Sequence, residues 1–452
     1  MHTSIRRATR ITRAALVLIW GALAGACADD VAAPTRPPIL APNLAIGDVI
    51  TVTTAADGPN LTGSLRWAVK QATGGETIRF APEMAGATIT LDSALVLYKP
   101  LLTIEGPADK GITISAGGKD RVIALNNYDG ANGTLTTLRN LSLTGGKLST
   151  GGGSALSVTT PLRLEHVTVF GNEAPGMVID QGGLMSASVT LVNSTVSGNI
   201  SASYPAISTA GDLTLINSTV AENATQGGVF TGAGSKLTLR NSIVARNGGK
   251  SCEVGIATVY AEGKNIADDA SCGDAAVTMV VDPKLEPLAM NGGAAKTHAF
   301  PRTSPAVNAG KDCILPVDQR YQPRDSQCDI GAYELQPTAV VLTIDGTSTV
   351  TPSTGSAVVS GTITCSHEEG LKLAVSLKQE QRARRAPALV QATGTTSAAC
   401  GPTTRPWSIA IAPTNSAFTI GAATAEAKTV DTPAWVTPST VTGAVTFYWA
   451  RK

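Results

Sequence analysis

The 452-residue chain carries 35 Lys and Arg against 34 Asp and Glu, a net charge of +1, with 15% charged and 4% aromatic residues. That balance excludes the basic, aromatic-interleaved surface of nucleic-acid binders. The length fits two or three domains.

Residues 1–27 have the pattern of an export signal. Arg6, Arg7, Arg10 and Arg13 precede an apolar run from Ala14 to Ala24 that is too short to span a bilayer alone. The run ends Leu-Ala-Gly-Ala-Cys at Cys27. Small residues before a Cys resemble the bacterial lipobox, in which the Cys is acylated and becomes the mature N-terminus. Ala24 stands where Leu, Val or Ile is usual. Lipidation of Cys27, and through it a membrane anchor, is expected; cleavage after Ala26 and release is the alternative. Residues 28–47 are rich in Pro and without periodicity, an extended spacer.

Residues 48–56 alternate like a strand. Leu65, Ala68, Val69 and Ala72 then fall at i, i+3, i+4 and i+7, which predicts an amphipathic helix that caps a solenoid. Short β-like runs follow at 78–80, 89–91, 95–97, 102–104 and 112–114, separated by Gly, Pro or polar turns.

An Asn-Ser-Thr-Val theme next recurs with a second Asn six positions after the first: Asn193 and Asn199, Asn217 and Asn223, Asn241 and Asn247. Degenerate copies sit at His166 and Asn172 and from Asn140. The first positions are 26, 27, 24 and 24 residues apart, a solenoid's period. Two residues before each first position stand Leu138, Leu164, Leu191, Leu215 and Leu239; three after it stand Leu143, Val169, Val196, Val220 and Val244. The inward parity shifts at the Asn, so the chain bends there, and Asn tolerates the left-handed conformation a bend needs. Stacked copies suit amide-to-amide ladders. Residues 48–251 are therefore expected to form a parallel β-helix of seven or so coils, with three sheets around a Leu, Val and Ile core.

Beyond Cys27 the cysteines are Cys252, Cys272, Cys313, Cys328, Cys365 and Cys400. Fifteen connectivities are open. Local pairing within subdomains favours 252–272, 313–328 and 365–400. No C-x-x-C or neighbouring His points to a metal.

Residues 252–335 lose the period. DPKLEPLAMNGG (282–293), THAF (297–300), SPAVNAG (304–310), VDQRYQPR (317–324) and CDIGAYE (328–334) follow in order, after GKNIADDASC (263–272). This run resembles the choice-of-anchor Q domain that ends right-handed parallel β-helix repeats in bacterial envelope and secreted proteins. ITVTTAADGPNLTGSLRWAVKQA (50–72) resembles the N-terminal part of the same proteins. The resemblance implies a β-helix and export, and no established activity. Tyr321 departs from it, standing where Gly usually follows Asp-Gln-Arg. Asp318, Arg320, Arg324, Asp329 and His298 tempt as functional residues; the expectation is a hydrogen-bonded cap folding loops over the last coil.

Residues 338–452 form a separate unit. Alternating runs at 340–344, 357–365, 371–377, 407–411 and 441–449 with frequent turns suit an immunoglobulin-like β-sandwich, with Trp407 near a 365–400 bridge. Arg382, Arg384 and Arg385 read as a solvated hairpin tip, and Trp435 as a core or edge aromatic.

Parallel β-helices often cleave acidic polysaccharides. Hydrolysis needs paired carboxylates, and a calcium-dependent lyase needs clustered oxygen ligands plus a base. Residues 88–250 hold ten acids, and shifting those of the regular coils by 24 lands on Tyr204, Lys236 and Arg246, with no stacked acid pair. No H-E-x-x-H or phosphate-loop motif occurs.

The sequence reading is thus an all-β chain, a right-handed three-sheet parallel β-helix with a capping helix followed by a C-terminal sandwich. Its expected role is non-catalytic, structural or recognitional, at the bacterial envelope as a lipoprotein, with a glycan or surface protein as partner, no cofactor or metal, and a single chain. Two alternatives are a polysaccharide lyase or hydrolase of pectin-lyase-like fold, and a rod that only presents a binding C-terminal domain.

Overall fold

A computed structural model describes residues 47–450, apart from 127–134, 182–186, 256–257, 383–386, 415 and 434. Cys27, the leader, nearly all of the linker, Gly182–Gly183, Arg384 and Arg385 lie outside the described residues.

Three parallel sheets wind into a β-solenoid of about eight turns. Among the described residues, the first sheet has nine strands, from Val49–Val52 to Thr258–Glu262. The second has nine, from Thr88–Thr90 to Thr278–Val280, and the third seven, from Leu95–Leu97 to Lys250–Val254. The repeat sets the register: Leu138, Leu164, Leu191, Leu215 and Leu239 align coil on coil, none more than 1% exposed. Eight turns at one strand spacing make a rod of roughly 40 Å.

The predicted helix forms over Leu65–Gln71, where the Ser64 hydroxyl accepts from the Trp67 backbone N–H at 3.1 Å. It buries Leu65, Ala68 and Val69 on the core of the first coils.

The bend behaves as the parity shift implies. Asn140, His166, Asn193, Asn217 and Asn241 all sit at φ of 45° to 56°, turning the chain from the first sheet into the second. These side chains do not ladder with one another. The amide ladder belongs to the second Asn of each copy. Asn172, Asn199, Asn223 and Asn247 are joined Nδ2 to Oδ1 at 3.0, 2.9 and 2.8 Å. Each also donates one coil back, to the carbonyl of Leu143, Val169, Val196 or Val220.

Two features differ from the expectation. The sheets continue to Val280, one coil beyond the regular period, with Asn265 accepting from the Ser242 N–H at 2.9 Å. Residues 282–335 do not lie over the last coil. They hold no regular strand and run back along the flank of the rod as a strap. The strap meets the bend residues coil by coil. Asn241 donates to Lys311 O at 2.8 Å, Asn217 to Asp329 O at 3.5 Å, and Asn193 to Val317 O at 2.9 Å. The His166 Nδ1 donates to Gln319 O at 3.1 Å, and the Tyr321 hydroxyl to Asn140 Oδ1 at 2.7 Å. The left-handed bend turns each polar side chain out of the core, where it needs a partner. Strap carbonyls supply most of those partners. The approach is close: at Gly331, φ 102°, a Cβ would stand 2.8 Å from the Ile243 methyl.

The C-terminal unit is one mixed sheet of eight strands around its own core. Ala357–Cys365 pairs with Val340–Leu342 and Arg405–Ile411. Thr347–Val350 runs parallel to Thr440–Trp449, which continues through Gly421–Val430 and Glu369–Gln381 to Ala388–Cys400. This is the strand order of an immunoglobulin-like sandwich, in which the first strand divides between two layers. The strand at 388–400 escapes prediction because Gly, Ala and Thr blur its alternation. Buried Trp407 donates to Thr362 O at 3.1 Å, and Trp435 is 47% exposed with the Arg302 guanidinium over its ring at 5.8 Å. Disulfides join Cys252 to Cys272, Cys313 to Cys328 and Cys365 to Cys400.

Candidate ligand-binding groove

Where the strap crosses the early coils, a groove of about 500 Å³ opens between strap and rod. Its walls are Arg79, Phe80, Pro82, Glu105, Pro107, Asp109, Asn140 and Tyr321. Arg79 and Glu105 come from neighbouring strands of the first sheet in direct register, with Arg139 and Glu165 next along the same row. They make an alternating charge stripe. Glu105 accepts from Arg79 at 3.0 Å and from Arg139 at 3.2 Å. Arg139 bonds Glu165, which also pairs with Arg163 at 2.5 Å. Tyr321 closes the groove from the strap side. Its ring lies parallel to that of His166, centroids 4.1 Å apart and planes 6° apart, at a backbone φ of 64°. Burial holds the His166 imidazole below its usual pKa, so it stacks as a neutral ring.

The shift by 24 misses this stripe because Glu105, Arg139 and Glu165 are 34 and 26 residues apart. The two glutamates lie two coils apart with Arg139 between them. They do not form an acid and base pair. Burial raises the pKa of Glu165, but Arg163 and Arg139 outweigh it and hold the carboxyl below the usual range. Ionised at neutral pH, it has no proton to give a leaving group.

The charged strap residues that tempt as functional are buried or half-buried. Asp318 bonds Arg320 at 2.7 Å, and the Arg320 guanidinium lies 3.8 Å from the Tyr333 ring centre. Arg324 reaches Glu334 at 2.8 Å, Gly331 O at 2.9 Å and Asn193 Oδ1 at 3.1 Å. Asp329 accepts the Asn308 and Leu335 N–H groups at 2.7 and 2.6 Å. These residues fix the strap and offer nothing to a ligand. Burial, and then the Asp329 carboxylate, push Glu334 up to about 7; burial pushes Asp329 up to about 6.

Both acids thus take up protons on folding. Their contribution is complete below the ordinary values of 4.5 and 3.8 and is lost as pH rises through about 6 and 7. The melting temperature is expected to fall between about pH 5 and pH 8, and Glu334→Gln to flatten that slope in thermal scans across pH.

His298 accepts from the Ser197 hydroxyl through Nε2 at 2.7 Å and donates through Nδ1 to Glu286 O at 2.7 Å. That is the local geometry of an activated serine, and no sequence motif announces it. Ser197 is 1% and His298 2% exposed beneath the strap, so no substrate reaches the pair. It pins the strap to the second sheet. Among the described residues, no three His, Cys, Asp or Glu side chains are gathered to hold a metal.

No protein-family profile matches the chain, and no curated protein matches it.

Proposed function

We propose that this chain is an exported, non-catalytic recognition protein whose rod holds a carbohydrate in the groove under Tyr321. The observation that carries the reading is the groove's composition. An aromatic ring stands beside one arginine, two carboxylates and an amide, an arrangement suited to a sugar's apolar face and its hydroxyl groups. In the charge stripe beside it the two glutamates are separated by Arg139 rather than paired, which favours binding over cleavage. Three disulfides fit an oxidising compartment, and the leader with its lipobox-like Cys27 supports export and anchoring at a bacterial envelope. The resemblance to the choice-of-anchor Q proteins points the same way.

A glycan array probed with the full chain, followed by assays of each hit for new reducing ends and unsaturated products, tests the reading. Binding without turnover is expected. Cleavage of a bound polysaccharide would overturn the non-catalytic role, and a blank array would overturn carbohydrate recognition. Mass spectrometry of the native N-terminus should find Cys27 acylated; an unmodified Cys27 at that end would rule the anchor out.

A further inference from the structure

We infer that Tyr321 is the specificity-determining residue of this groove, and that it selects an uncharged sugar ring rather than a polyanion. The inference rests on the carbohydrate reading above and deepens it.

The first observation is conformational. Tyr321 occupies the left-handed region at φ 64°, where a bulky side chain is an outlier and glycine sits without strain. The turn around it imposes that backbone: Tyr321 N–H donates to Asp318 O at 3.0 Å, and the Arg320 and Gln322 N–H groups both donate to Asp318 Oδ1, at 2.7 and 3.0 Å. A glycine would satisfy every one of these bonds. The fold therefore gains nothing from a side chain here beyond what the ring itself does. What the ring does is line the groove, locked on one side by His166 and at its tip by Asn140. Strain kept at a cavity wall, with the ring orientation fixed by two partners, marks a pre-organised contact surface.

The second observation is electrostatic. The lining holds one cation, Arg79, and two carboxylates, Glu105 and the exposed Asp109. Arg79 pairs with Glu105 through Nε at 3.0 Å, and Arg139, outside the lining, bridges Glu105 and Glu165. Among the lining residues a polyanion would meet two carboxylates and a single arginine already paired with one of them. Carboxylate oxygens accept hydrogen bonds from sugar hydroxyls, while the tyrosine face covers the C–H side of the ring. An uncharged sugar fits both.

Calorimetric titrations of the full chain with chitohexaose, cellohexaose and maltohexaose, and with polygalacturonate and heparin as polyanions, test the inference. One of the neutral hexasaccharides is expected to bind most tightly. Tyr321→Gly should weaken it by roughly tenfold or more; relief of the left-handed backbone offsets part of the loss of the His166 stack and the Asn140 bond, so the variant stays folded. Tyr321→Phe, which keeps the ring, should lose only a few-fold in affinity. Tyr321→Asn, also tolerated by a left-handed backbone, stands in if the glycine variant folds poorly. Wild-type affinity in both ring-less variants, or a polyanion as the tightest ligand, overturns the inference. Ala108 also lines the groove, at its exposed rim, and Ala108→Trp, which fills the groove from there, separates the two levels. If it abolishes binding while Tyr321→Gly does not, the groove stands and the role of Tyr321 falls. If neither changes the affinity, the groove reading falls with it.

Discussion

Arg324→Met is expected to destabilise the protein by about 3–5 kcal/mol, measured as the shift in urea denaturation at pH 7.5. The side chains of Arg324 and Glu334 are 1% and 3% exposed, and their ion pair spans 2.8 Å. Removing the guanidinium strands Glu334 and its neighbour Asp329 as buried acids without their cation. It also orphans Asn193 Oδ1 and the Gly331 carbonyl, which Arg324 bonds across to the rod and within the strap. A buried pair broken on one side costs far more than a pair replaced whole. Arg324→Met with Glu334→Gln should therefore recover part of the loss. A single-variant cost under about 1 kcal/mol would show that the strap's charged network does not hold it to the rod.

Asn199→Ala is expected to cost about 3 kcal/mol or more, because each buried polar group left without a partner costs about 1–3 kcal/mol. Asn199 is fully buried at the centre of the amide ladder. Its Oδ1 accepts from the Asn172 backbone and side chain at 3.1 and 3.0 Å; its Nδ2 donates to Asn223, Val169 O and Ser197 O. Alanine leaves all of these open in a site too tight to rehydrate freely. The ladder's last rung gives the control. Asn247 is only half-buried, and its Nδ2 donates to the Val220 and Ala245 carbonyls with no next asparagine to reach, so Asn247→Ala should cost about 1 kcal/mol. Equal losses at the two positions would mean the ladder is no more than a row of independent turns.

The rod was legible in the sequence because one residue type does one job at a fixed interval. The parity shift at Asn193, Asn217 and Asn241 located the bends, and those residues do sit in the left-handed region. What the pattern did not separate was the two asparagines of each copy. Both repeat with the same period, so period alone does not say that Asn199 faces its own copies while Asn193 faces the strap. The strap was the larger surprise. Its bonds to the rod span 36 to 181 residues of sequence, and no periodicity reports pairings that long. The groove is hidden for the same reason: it needs Arg79 and Glu105 from one sheet and Tyr321 from a segment that returns from the far end of the rod. The one local signal was Tyr321 itself, a bulky residue after Asp-Gln-Arg where the resembled motif has Gly.

The strap also recasts the tempting residues. Asp318, Arg320, Arg324 and Asp329 carry the charges that mark many active sites, yet each is used to fasten the strap, within itself or to the rod. Ser197 and His298 have an activated-serine geometry and no access. Chemistry-bearing residues here are used as fasteners, whereas the groove beside Tyr321 is open to solvent.

The most direct measurement is a calorimetric titration of the strongest glycan-array hit into wild-type protein and into Ala108→Trp, the two first shown to melt alike. The account predicts saturable binding by the wild type and at least a tenfold weaker response in the variant. Equal affinity in the two proteins would contradict it, and would move recognition off the rod.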